Sequence, residues 1–151
     1  MSLEKYPSKA NTIETVFTFI SEGPKGKIVK RIRYRKVKLD GYKNVYNLGF
    51  GDKMRNSNKI DDLVVTDNQD REKVLATVAN SVLIFTKRRP KSNILVIGST
   101  PPRTRLYQMA ISKYFDELSK IFEIKGYLFG YWLPFDENLN FVAFLITRKT
   151  I

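Results

Sequence analysis

Ser99, Thr100, Arg103, Thr104 and Arg105 stand together where an apolar run, Ile94–Ile97, passes through Gly98 and the pair Pro101-Pro102. Hydroxyls and guanidinium groups at this spacing could hold a phosphate or a carboxylate. The pattern is that of a strand feeding a helix: a short continuous apolar run, a glycine at the reversal, Ser99 or Thr100 as N-cap, and proline at a first helical position. A helix start carries partial positive charge and unpaired N–H donors, so the turn reads as an anion cradle. Arginines in a first turn oppose the helix dipole by about 0.3–1 kcal/mol each, so helix stability does not account for them. The turn is not a Walker loop, since it has neither the second glycine nor the lysine that follows it, and no cofactor is expected.

Other chemistry is narrowed by absences. The chain has no histidine and no cysteine, which excludes Ser–His and Cys–His nucleophilic sites, histidine acid–base pairs and the common zinc sites within one chain. Carboxylates, Lys, Tyr, Ser/Thr and Arg remain, with a carboxylate-held hard cation such as Mg²⁺ as the one metal route. Asp61, Asp62, Asp67 and Asp70, or the pair Glu123 and Lys125, would be needed for a metal-dependent nuclease or phosphotransferase. No aspartate on a preceding strand completes the Glu-x-Lys half-motif, so neither a catalytic nor a metal residue is assigned.

The balance of charge points the other way. Twenty-seven basic against 15 acidic residues give a net charge of +12, which favours a polyanionic partner: nucleic acid first, then an anionic membrane surface or an acidic protein. Over Lys27–Leu39, strand alternation puts Lys27, Arg31, Arg33 and Arg35 on one face and Ile28, Ile32 and Tyr34 on the other. Same-face residues then recur at about 6.6–6.8 Å, near the phosphate repeat of an extended nucleic-acid strand. The result is a basic rail, or equally a solvated face whose charges resist edge pairing. Tyr131, Trp132 and Phe135 cluster near a turn and are candidates for stacking on bases.

The stretch Gly98-Ser-Thr-Pro-Pro-Arg-Thr-Arg-Leu-Tyr107, followed by Ile111, resembles the central signature of a family of small, uncharacterised bacterial single-domain proteins, over about Phe17 to Thr147. The resemblance implies a bacterial, cytosolic, single-domain protein and brings no activity with it.

The elements that must position these residues follow from periodicity and breakers. Residues 1–12 read as a polar arm, disordered or, at Met1-Ser2-Leu3, an expression leader. Residues 13–151 read as one domain. Strands are expected over Glu14–Ile20, Lys27–Leu39 and Tyr42–Phe50, with a short one within Ile60–Val65 after a polar loop at Asp52–Lys59. A helix capped by Asp67 or Asn68 should run to Arg88, burying Val74, Val78, Val82 and Phe85 before Pro90. A second helix is expected over Arg103–Phe122, with Tyr107, Ile111, Tyr114, Leu118 and Ile121 inside and Gln108 on its wet face. The segments Lys125–Trp132 and Asn140–Arg148 should pair as a hairpin.

The fold class is therefore α+β: an N-terminal antiparallel meander, then helix-strand-helix and a C-terminal β-hairpin, with two long helices packed on one sheet. No apolar run approaches the ~20 residues of a membrane helix, so no membrane insertion is expected, and a cytoplasmic location is the default. The function that fits best is a basic module binding nucleic acid or another phosphate-bearing ligand. A regulatory protein-interaction domain, antitoxin-like or homodimeric, is the second reading.

Overall fold

A computed structural model describes residues 4–53, 67–150 and the backbone of 60–61. The expected leader, Asp62, most of the polar loop and most of the short strand at 60–65 lie outside the described residues. The elements are β1 (Lys9–Ala10), β2 (Val16–Gly23), β3 (Gly26–Leu39), β4 (Tyr42–Lys53), β5 (Ile60–Asp61), α1 (Arg71–Arg88), β6 (Asn93–Val96), α2 (Pro101–Lys113), α3 (Phe115–Ile121), β7 (Phe122–Leu128), β8 (Tyr131–Pro134) and β9 (Ala143–Arg148). The fold is α+β, with strands in the order β1-β2-β3-β4-β6-β9-β7-β8 and β5 on β4. The chain divides into two compact units, Ser2–Arg35 with Gly49–Arg88, and Lys36–Leu48 with Arg89–Ile151.

The first unit is built on the hairpin of β2 and β3, in register from Val16 opposite Arg33 to Gly23 opposite Gly26. Alternation sends Phe17, Phe19, Ile32 and Tyr34 inward, where α1 supplies Val74, Val78, Val82 and Phe85 at helical spacing. Tyr34 stacks on Phe85 at 4.1 Å and its hydroxyl meets Ser81 Oγ at 2.7 Å. Burying a ring such as Phe85, fully inaccessible, contributes about 1.5–3 kcal/mol. Within the stretch expected as an arm, Lys9–Ala10 pairs with Phe17–Thr18 and Tyr6 is 7% exposed. Its ring packs on Phe19 at 5.6 Å, while its hydroxyl donates to Asp70 Oδ2 at 2.6 Å.

Helix α1 begins later than its sequence suggests. The carbonyl of Asp70 accepts the first helical bond, from Val74 N–H at 2.9 Å. Asn68 caps a hairpin rather than the helix: its Oδ1 accepts from Lys25 N–H at 2.7 Å and its Nδ2 donates to Gly26 O at 2.9 Å. Burial explains this use, because Asn68 is 1% exposed and its amide must find partners on both sides.

In the second unit β6 lies between β4, to which it is parallel, and β9, to which it is antiparallel. The two C-terminal segments pair antiparallel as β7 and β9, and β7 also forms a tighter hairpin with β8. Ile94, Val96, Phe122, Ile124, Phe141 and Phe144 form the core, reached from α2 by Ile111. The expected single helix over Arg103–Phe122 is two. Tyr114 leaves the helical region at φ −111°, ψ 19°, ending α2 and starting α3. Phe115 then stacks on Phe135 at 5.3 Å. The buried face of α2 is accordingly Thr104, Gln108 and Ile111, while Tyr107, Tyr114 and Leu118 are half-buried and Ile121 is exposed.

Candidate functional site

The turn that the sequence offers as an anion cradle lies in the second unit, at the carboxyl end of β6. Gly98 is required there by close approach: a Cβ would sit 2.3 Å from Thr104 N and 2.7 Å from Arg103 C. Strand end and helix start are thereby locked together, with Gly98 N–H donating to Thr104 Oγ1 at 3.1 Å. Thr100 is the N-cap, in extended conformation. Its carbonyl accepts from both Arg103 N–H and Thr104 N–H at 3.1 Å, and Pro101 and Pro102 have no N–H to offer. Every first-turn amide is thus absent or already bonded. The free backbone donors expected at this helix start are not there, which leaves only side chains at the turn to meet an anion.

Those side chains surround a cavity of about 560 Å³. Ile97, Pro101, Pro102, Phe141 and Val142 form its apolar walls, with Ser99, Thr100, Arg105 and Asn140 as polar lining. Arg105 is exposed and makes no ion pair among the described residues. Arg103 donates to Ser99 Oγ at 2.5 Å, which holds its guanidinium over the turn. Gln108, expected on the wet face, is 9% exposed and lines the pocket. Its Nε2 donates to Leu139 O at 2.5 Å and its Oε1 accepts from Phe141 N–H at 3.0 Å. The amide is therefore spent on fixing the 139–141 wall. Helical periodicity alone could not reveal this, because the backbone groups it satisfies lie some thirty residues away.

The basic rail lies in the first unit. Lys27, Arg31, Arg33 and Arg35 do alternate with inward-pointing residues, and one of those is Lys30, 1% exposed and 2.6 Å from Asp52 Oδ1. On the outer face Lys27 pairs with Glu22 at 3.9 Å and Arg31 Nε donates to Thr18 Oγ1 at 3.2 Å. Between them Val29 faces Ile20, at 38% and 47% exposure. An apolar cross-strand pair interrupts the row of charges.

The three stacking candidates have different surroundings. Tyr131 is 70% exposed. Trp132 leans on Tyr127 at 4.9 Å and on Tyr42 at 6.2 Å. Phe135 is half-buried, its ring sitting among Phe115, Phe141 and Phe144. Sequence reasoning missed Phe129, 85% exposed at the β7–β8 turn with φ 54°, followed by Gly130 at φ 82°. Two positive φ values make a type I′ turn, for which an x-Gly pair between alternating strands is the available signal.

Among the described side chains, the candidate carboxylates Asp67, Asp70 and Glu123 each have a partner; the Asp61 side chain, like Asp62, lies outside the described residues. Asp70 Oδ2 accepts from Tyr6 and, at 2.5 Å, from Ser21 Oγ. Ser21 is completely buried, so this hydroxyl–carboxylate contact has no access for a substrate. Asp67 Oδ1 accepts from Gln69 N–H. Glu123 pairs with Lys125 at 3.5 Å, and the Lys125 ammonium is held above its usual pKa, chiefly by its hydrogen bond to Tyr42 Oη. Among the described residues no group of three or more acidic side chains could hold a metal ion. No helix among them is long and apolar enough to cross a membrane.

The architecture is that of an α+β protein with a basic, apolar-walled pocket at a strand-to-helix turn. Residues 2–149 match the model of a family of unknown function, DUF6934, and the chain belongs to that family. No curated protein and no solved structure matches it.

Proposed function

We propose that the protein is a binding module for a phosphate-bearing ligand, nucleic acid foremost, and that the turn after β6 is where the phosphate is held. The observation that carries this reading is the pocket itself: about 560 Å³ of mostly apolar space lined by Arg105 and by the hydroxyl residues Ser99, Thr100 and Thr104. An exposed guanidinium without an acidic partner beside apolar walls favours a ligand with an anionic and a flat or apolar part. The net charge of +12 supplies long-range attraction for the same class of ligand. Since the turn's amides are bonded internally, affinity should depend on the guanidinium groups rather than on the helix dipole.

The test is fluorescence anisotropy with a labelled oligonucleotide across a salt series, comparing wild type with Arg105→Ala and with Arg103→Ala/Arg105→Ala. Submicromolar binding near physiological salt, lost in the variants while their circular dichroism is unchanged, supports the reading. Weak binding that vanishes with modest salt and ignores both arginines refutes it, and a search for an acidic protein partner would take its place.

A further inference from the structure

Four of the exposed large apolar residues gather at one end of the sheet in the second unit. Strands β6 and β7 both run antiparallel to β9, so their carboxyl ends and the amino end of β9 meet there. Ile97 follows β6, Val142 precedes β9, and Phe129 and Tyr131 form the tip beyond β7, at 48%, 55%, 85% and 70% exposure. Val142 N–H bonds Tyr127 O at 3.0 Å, which ties the hairpin to the wall of the pocket that Ile97 and Val142 line.

The tip is built at a cost. A non-glycine residue in the left-handed region is disfavoured by roughly 1–2 kcal/mol, and asparagine or aspartate are the side chains that tolerate it. Phe129 has neither property, and at 85% exposure its ring gains little burial in return. A strained backbone holding an aromatic ring in solvent, at the same end of the sheet as an arginine-bearing pocket, points to a ligand that covers the ring.

We infer that the ligand is single-stranded nucleic acid, with an unpaired base stacked on Phe129 or Tyr131 and the adjoining phosphate on Arg105. This rests on the phosphate reading above and names its ligand. Exposed rings next to cations suit a strand whose bases are free to stack, whereas a duplex hides its base faces. The Gln108 amide in the pocket is spent on the backbone, and stacking of a base on an exposed ring tolerates any sequence.

The experiment compares a labelled 12-nucleotide oligothymidine, the same length of abasic sugar–phosphate and a duplex, against wild type, Phe129→Asn, Tyr131→Ala and Arg105→Ala. Phe129→Asn suits the turn better than phenylalanine does, so loss of binding in that variant cannot come from loss of fold. Expected is a preference of wild type for oligothymidine over both other probes, with a drop of about 5- to 150-fold on removal of a stacking ring. The abasic probe should be insensitive to the ring substitutions. Equal binding of oligothymidine and abasic strand, unaffected by Phe129→Asn but weakened by Arg105→Ala, overturns the stacking inference and leaves the phosphate reading standing. Indifference of all probes to Arg105→Ala overturns both. Capture on phosphatidylserine vesicles that depends on Phe129, with no preference among the nucleic-acid probes, also overturns the inference and makes the tip a membrane contact.

Discussion

Lys30 and Asp52 meet at 2.6 Å in a region where the lysine is 1% exposed. Removing one member of such a pair leaves the other charged and without water. Asp52→Asn should therefore lower stability by about 3–5 kcal/mol, read as a shift in the urea midpoint; a change smaller than about 1 kcal/mol would show that the pair is solvated. Tyr6 offers a second residue-scale test. Burial first, and then the Asp70 carboxylate, raise its pKa above that of a free tyrosine. The unfolded chain therefore ionises first. The contribution is fully present below about pH 10 and is lost as pH rises through the folded pKa. Tyr6→Phe should flatten the decline in urea midpoint above pH ~10 relative to wild type; parallel profiles would disprove the coupling. Neither role is visible in the residue type. Alternation places Lys30 on the inner face of β3, yet only the approach of β4 supplies the carboxylate that lets it stay there.

The turn after β6 is set by Gly98. A Cβ at that position would strike the backbone of Arg103 and Thr104, which cannot move aside as a flexible side chain could. Gly98→Ala should cost about 1–3 kcal/mol through overpacking, seen as a lower melting temperature, and should weaken ligand binding because the start of α2 carries Arg103 and Arg105. An unchanged melting temperature would mean that strand and helix are not locked as described. The strand-glycine-proline pattern was sufficient to locate this element and to narrow its cap to Ser99 or Thr100, of which the structure selects Thr100. The fate of the amides was not legible, since it depends on which carbonyl the closed turn presents. The break at Tyr114 also escapes periodicity, because the apolar spacing of 107, 111, 114, 118 and 121 continues unbroken through it.

Across the molecule a net charge of +12 guarantees attraction to any polyanion, so affinity alone distinguishes little. The slope of log K against log salt is more telling: Arg105→Ala should make it shallower by about one if that guanidinium neutralises one phosphate. An identical slope in wild type and variant would place the phosphate contacts on other cations. What the sequence determined by itself was the α+β class, the β2–β4 strands and the long helix α1, the location of the arginine-bearing turn and the lack of any histidine or cysteine. Each depends on neighbours along the chain, where periodicity, breakers and composition act directly. The tertiary structure decided that the amides of the turn are bonded internally, that Gln108 braces the 139–141 wall, that Phe135 packs among three other rings, and that Phe129 stands exposed at the sheet end where Ile97 and Val142 also lie. These are outcomes of contacts between residues far apart in sequence, and no local pattern encodes them.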